Sequence, residues 1–278
     1  MQLDTKMKNL KLIMALLCVT SVMLSGCDDS KKQDAATKKE QSTVQATNPD
    51  VLPYLNMKED KADYALPFCE KKNCIEIDIQ TVKTQDAWLN QWIATNQANV
   101  IQQQIDLKQS MTLQQAVDAY IKQSDSWQDE FAKNQPYELR LGTRIASQRN
   151  QYVLLQLSVN STQKDISVKE RQYFYVADRK LKKKLSILDV IVPAQQTTLN
   201  QWIQQHYQQW LEKQDKPVQK SAPKKLFWGQ SDWFFDGEGV GLHYRSDEIT
   251  PDADQLDIYL NKQQTQQILQ PEVFQKMF

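Results

Sequence analysis

Between Ser231 and Leu260 the chain carries eight carboxylates: Asp232, Asp236, Glu238, Asp247, Glu248, Asp252, Asp254 and Asp257. Arg245 is the only opposing Lys or Arg in that span. A basic cluster stands elsewhere, at Arg179, Lys180, Lys182, Lys183 and Lys184, with more lysines from Lys213 to Lys225. Solvated loops that neutralise one another across the fold are one account of this pattern. An acidic surface that steers a basic partner is the other, and it would act on association rate more than on affinity. The candidate partner-binding residues are then His243, Ser246, Asp247, Glu248, Asp252 and Asp254. Catalysis finds little support. His243 lies in a strand near acids, but it has no partner nucleophile, and no nucleophile elbow is present. His206 falls on the apolar stripe of a helix. Asp236-Gly237-Glu238-Gly239 lacks the staggered oxygen ligands of a calcium loop and reads as a turn, with its glycines at positive φ. The expectation is a binding protein, not an enzyme, with no cofactor and no metal.

Cysteine chemistry is simpler. Cys69 and Cys74 enclose four residues and, in an exported chain, read as a disulfide stapling a tight turn. So small a loop contributes about 2 kcal/mol by chain entropy. Zinc is disfavoured, because the chain has only two histidines and no second cysteine pair. Cys27 is different. It follows Leu24-Ser25-Gly26 at the end of the apolar run Leu12–Leu24, which is preceded by Lys6, Lys8 and Lys11. This arrangement resembles the lipobox of bacterial lipoprotein precursors, with a positive n-region and an h-region too short to span a bilayer. The resemblance implies that Cys27 receives a diacylglyceryl group and becomes the first mature residue. Asp28, next in the chain, resembles an inner-membrane retention signal, so the periplasmic face of the inner membrane is favoured over the outer membrane.

Residues 28–50 have almost no large apolar side chains and cannot offset their ordering entropy, so a flexible tether is expected. The expected organisation is a signal over 1–26, a lipid-anchored tether over 27–53, a strand-plus-helices region over 54–136 and an α+β domain over 137–278. The 34 basic and 34 acidic residues of the whole chain leave a slight acidic excess once the signal is removed. Bulk charge therefore argues against nucleic acid as a partner.

The elements that would position these residues follow from periodicity. Ile75, Ile77 and Ile79 alternate with Glu76, Asp78 and Gln80 as in a half-buried strand. Helical spacing follows from Thr84, and Thr112 with Gln115 predicts a capping box opening a second helix. Three strands are expected over Tyr137–Ile145, Tyr152–Asn160 and Arg171–Ala177. A long helix from Pro193 to Gln214, a basic loop from Lys216 to Lys225 and a hairpin over Trp233–Tyr244 come next. A strand at Leu256–Leu260 and a helix over Lys262–Leu269, closed by Pro271, complete the order. Strands and helices do not alternate one to one, so an α+β fold with a largely antiparallel sheet is predicted.

Two stretches together carry a family resemblance. Tyr173-Phe174-Tyr175-Val176-Ala177-Asp178, followed by Leu181 to Val190, resembles the strand and "L-x-L-x-D" turn of the RsiV-like family. Trp233 to Tyr244 is similar to that family's hairpin, and Asp247-Glu248-Ile249-Thr250-Pro251-Asp252-Ala253 to its "Y-E-I-A-P-Y-A" loop. The resemblance implies an exported α+β recognition domain of the kind that senses lysozyme outside the membrane and that also accompanies peptidoglycan deacetylases. A basic lysozyme-type muramidase or peptidoglycan is the partner it implies. Aromatic positions of the family loop fall on Asp247 and Asp252 here, and a proline position on Ser246. A lipid anchor replacing the membrane helix implies that the chain is not an anti-sigma factor. An assembly lipoprotein docking on another envelope protein and a cell-wall enzyme are the competing readings.

Overall fold

The computed structural model describes residues 52–70, 73–130, 133–163, 166–229 and 231–278. The expected signal, Cys27 and the tether as far as Val51 lie outside the described residues. The described residues fall within one compact unit, Thr47–Phe278.

A six-stranded sheet is built in chain order from β1 (Lys58–Lys61), β2 (Glu76–Lys83), β3 (Glu138–Arg149), β4 (Tyr152–Gln163), β5 (Ile166–Asp178) and β6 (Lys183–Leu185). All neighbours are antiparallel except β2 and β3. That parallel pair needs a crossover, and α1 (Ala87–Gln103) and α2 (Leu113–Glu130) supply it. Asp86 caps α1 by accepting from the Leu89 N–H at 3.1 Å. The Thr112–Gln115 capping box forms in both directions, at 2.9 and 3.3 Å. Leu89, Ile93, Ala116, Val117 and Tyr120 bury the helices against Ile77, Leu139, Leu155, Leu157 and Tyr173 on one sheet face.

A second layer covers part of the opposite face. It holds α3 (Ile187–Val190), α4 (Gln196–Leu211), α5 (Lys216–Ser221), the sheet β7 (Asp232–Phe235), β8 (Val240–Tyr244) and β9 (Leu256–Leu260), then α6 (Lys262–Ile268) and α7 (Pro271–Met277). Leu154, Val176 and Leu185 of the large sheet join Leu199, Ile203, Tyr207, Phe235, Leu242 and Ile258 in its core. The fold is the α+β arrangement expected, with largely antiparallel sheets.

Four local expectations are corrected. Part of the basic loop at Lys216 is the short helix α5, which Pro217 can open because the first turn needs no N–H. Pro271 does not merely close a helix; it starts α7 for the same reason. The β3–β5 strands run longer than their apolar alternation, because polar residues continue the ladder. Among the described residues no glycine has positive φ, so Gly237 and Gly239 do not serve the β7–β8 turn that way. Gly239 is needed for space instead: a Cβ there would overlap the Leu260 carbonyl oxygen.

Candidate functional site

The six residues expected to face a partner do not form one open acidic surface. His243, on β8, is 2% exposed and is held at both ring nitrogens. Its Nε2 donates to the Gln172 carbonyl at 3.1 Å, and its Nδ1 lies 2.6 Å from the Asp257 carboxylate. Asp247 meets Arg171 at 3.1 Å. Glu248 accepts from the Arg245 N–H at 2.8 Å and from its guanidinium at 2.5 Å. The other arm of Arg245 reaches Asp232 at 2.6 Å, and its guanidinium lies 4.5 Å over the Tyr173 ring. Burial disfavours the Arg245 cation, but the Asp232 and Glu248 charges outweigh that and raise its affinity for the proton. Asp247 and Asp252 take left-handed φ of 64° and 65°, and the Asp247 carboxylate accepts from the Asp252 N–H at 3.1 Å. The loop is thus fixed from within. Ser246, Asp247, Glu248, Asp252 and Asp254 are all exposed; Asp247 and Glu248 are ion-paired, whereas neither Asp252 nor Asp254 has an ion-pair partner among the described residues.

A second feature lies where the C-terminal layer leaves the large sheet uncovered. A cleft of about 410 Å³ there is lined by residues that include Gln80, Gly142, Arg144, Gln156, Glu170 and Gln172. A smaller hollow of about 160 Å³ beside it adds Asp78, Arg140 and Asn160. Strand register accounts for this lining. Asp78 pairs with Arg140 and Arg140 with Asn160. Gly142 pairs with Ser158 and Ser158 with Gln172; Arg144 pairs with Gln156 and Gln156 with Phe174. With side chains alternating across the sheet, all of these project from the face opposite α1 and α2. Gly142 forms part of the floor, since a Cβ there would come within 2.8 Å of the Ser158 hydroxyl. Arg144 Nε donates to Gln156 at 2.8 Å, and Gln156 donates to Gln172 at 2.7 Å. This relay orients the amides and leaves the terminal guanidinium nitrogens of Arg144 and the Gln172 amide nitrogen as donors.

An aromatic ledge borders the cleft at Phe174. Its ring lies 5.1 Å from that of Phe234, which stacks in turn on Tyr259 at 6.4 Å. The Phe234 ring occupies the space a Cβ on Gly241 would need. Tyr259 donates to Asp236 at 2.6 Å. Burial works against the Asp236 charge, but Tyr259, the Glu238 and Gly239 N–H groups and nearby Arg149 more than compensate and lower its pKa. Burial first, then this bond, raise the Tyr259 pKa well above the usual phenol range. Asp236 is therefore a structural brace of the ledge, set by the turn that the sequence made visible.

Sequence reasoning missed the cleft, because its residues come from five strands and polar side chains on a strand read as solvent-facing. Gly142 inside a strand was the available signal. Cys69 and Cys74 form the expected disulfide, with Cα atoms 6.0 Å apart, as suits an oxidising compartment. Among the described residues, no helix is long and apolar enough to cross a membrane, and no group of His, Cys, Asp or Glu is arranged to hold a metal ion.

No family model matches the chain, and no curated protein matches it in sequence. Solved structures resemble it in fold. A DUF3298 family protein from Pseudomonas aeruginosa matches 81% of this chain and 98% of its own length, with a TM-score of 0.58 at 18% identity. A DUF3298 family member from Bacteroides fragilis matches 80% and 98%, with a TM-score of 0.53 at 12% identity. The likeness is one of fold; the RsiV-like resemblance rests on the sequence motifs.

Proposed function

We propose that the chain is a lipid-anchored envelope protein with an RsiV-like recognition domain that binds, without catalysis, the glycan of peptidoglycan in the sheet cleft. The observation that supports this reading is an amide- and guanidinium-lined cleft whose Gln156 pairs in register with Phe174, the first ring of the Phe174–Phe234–Tyr259 ledge. Sugar hydroxyls are recognised by planar amide, guanidinium and carboxylate groups, and the C–H face of a sugar ring packs on aromatic faces. A cleft with few, already oriented polar groups meets the requirement for low reorganisation on binding.

Insoluble peptidoglycan is expected to sediment the protein from solution. Arg144→Ala removes a charged hydrogen bond worth about 1.5–3 kcal/mol and weakens retention about tenfold or more. Gln172→Ala acts in the same direction. Retention unchanged by both substitutions, or none by the unaltered protein, overturns the glycan reading.

Asp252 and Asp254 support a second reading, capture of a basic lysozyme-type muramidase by the fixed 246–254 loop. Immobilised protein is then expected to retain lysozyme at low salt and lose it as salt screens the charges. Asp252→Lys combined with Asp254→Lys abolishes that retention, whereas Arg144→Ala leaves it intact. If lysozyme is not retained at low salt, this second reading is wrong.

A further inference from the structure

The β5–β6 turn, Arg179 to Lys182, stands at the place where the described chain begins. Arg179 is 2% exposed and donates from Nη2 to the Pro53 carbonyl at 3.0 Å, so the N-terminal segment is tied to the base of this turn. The Gln85 N–H secures the same segment by donating to Leu55 at 2.9 Å. Beyond that base the turn is held rigidly. The Asp178 carboxylate accepts from the Leu181 N–H at 2.9 Å, and Lys182 takes a left-handed φ of 51°.

What the turn presents is unusual for a polar surface. Leu181 is 67% exposed, and Tyr54, which follows Pro53, is 78% exposed. The apolar surface continues along the same edge. Lys183 pairs with Asp189 of α3 at 2.7 Å, and the neighbouring Leu188 is 45% exposed. Leu188 and the 66%-exposed Phe227 flank Gly229, their side-chain ends 3.5 and 3.1 Å from where its Cβ would stand. Single exposed apolar residues need no explanation, but Tyr54 and Leu181 through Arg179, and Leu188 and Phe227 through Lys183–Asp189 and Gly229, are all tied to the β5–β6 end of the sheet. Exposed Lys182, Lys183 and Lys184 lie among them, and Lys224 and Lys225 precede Phe227. Asp189, the acid that pairs with Lys183, neutralises only one of these lysines.

We infer that this edge, with Leu181 at its tip, docks on an anionic phospholipid surface. Apolar side chains that dip to the level of the headgroups, ringed by lysines that meet lipid phosphates, are the chemistry of a peripheral membrane contact. The diacylglyceryl group expected on Cys27 carries two acyl chains and is enough to keep the chain at a membrane, so a basic, apolar edge would add orientation rather than residence. The position of the edge beside the tether's point of entry rests on the reading of Cys27 as lipidated; the chemistry of the edge does not. Docking here would also fix which way the domain faces, leaving its other surfaces for the envelope.

The test uses residues 27–278 with Cys27→Ser, which has no lipid and contains the whole compact unit. Co-sedimentation is measured with vesicles of phosphatidylglycerol and phosphatidylethanolamine, and with phosphatidylcholine alone. The inference expects binding to the first and at least about tenfold less to the second. Leu181→Asp, and separately Lys182→Glu with Lys184→Glu, should each lower binding to anionic vesicles by about tenfold or more while the circular dichroism spectrum and melting temperature stay unchanged. Equal binding to both vesicle types, no binding to either, or unaltered binding by both variants overturns it. Labelling with a radioactive fatty acid reports on Cys27 separately. Unlabelled protein whose Cys27→Ser form still binds anionic vesicles would refute the anchor and keep the docking edge.

Discussion

Gly239→Ala is expected to destabilise the protein by about 3 kcal/mol or more, enough to lower the melting temperature by roughly 6–12 °C in a domain of this size. The added methyl group would overlap the Leu260 carbonyl oxygen and come within 3.1 Å of both the Leu260 carbonyl carbon and the Thr265 hydroxyl. Flexible side chains can step aside; a paired backbone cannot. Leu260 belongs to the ladder with Val240, and Thr265 bridges the two, donating to the Leu260 carbonyl and accepting from the Val240 N–H at 3.1 Å each. The clash therefore spreads into β7–β8–β9, which carries Phe234, His243 and Tyr259. Gly237→Ala is the control. Its methyl group would meet only the Arg149 guanidinium, at 3.4 Å, and should cost within about 1 kcal/mol. Thermal unfolding of the two variants side by side is the measurement. A Gly239→Ala protein that melts within about 2 °C of the parent would show that the turn tolerates a side chain.

Arg179→Met is expected to cost about 3 kcal/mol, measured by urea unfolding. The guanidinium is 1% exposed and meets the Asp86 carboxylate at 3.0 Å, alongside its bond to Pro53. Its Nη1 has no partner among the described residues, so the pair does not regain the full cost of burying the cation. The pair need not be a large net source of stability for its disruption to matter. Removing one partner strands a partly buried carboxylate, and that carboxylate also caps α1. The same substitution frees Pro53, so the N-terminal segment should become sensitive to protease near Tyr54 before the rest unfolds. Combining Arg179→Met with Asp86→Ser, which removes the stranded charge and keeps a capping oxygen, should recover part of the loss. A cost below about 1 kcal/mol for Arg179→Met would contradict this account.

Much of the fold was legible in the chain because local pattern and tertiary role agree. The Ile75–Ile79 alternation marks β2, the Thr112–Gln115 box opens α2, and the aromatic–glycine–aromatic run marks the β7–β8 hairpin. Elements defined by their neighbours were hidden. β1 is Lys58-Glu59-Asp60-Lys61, a polar edge strand whose pattern exists only through its pairing with β2. The β2–β3 pairing is parallel across a two-helix crossover, which no local signal encodes.

The candidate sites divide the same way. The acidic loop could be found as a run of residues. The pairing of Asp247 with Arg171, 76 positions away, could not, whereas Glu248 is held by Arg245, the one base within the run. The cleft was invisible because register alone brings Arg144, Gln156 and Phe174 into one row. Of the residues expected to face a partner, Ser246, Asp247, Glu248, Asp252 and Asp254 are exposed, with Asp247 and Glu248 ion-paired, while His243 is a buried strut between β5 and β9.

The central proposal is that the open sheet face reads cell-wall glycan. Titrating the isotope-labelled protein with a soluble peptidoglycan disaccharide-repeat fragment, and following backbone amide shifts by NMR, tests it most directly. The account predicts saturable shifts centred on Arg144, Gln156, Ser158, Gln172 and Phe174, weakened by Arg144→Ala. Shifts confined to residues 246–254, or none at millimolar fragment, would contradict it.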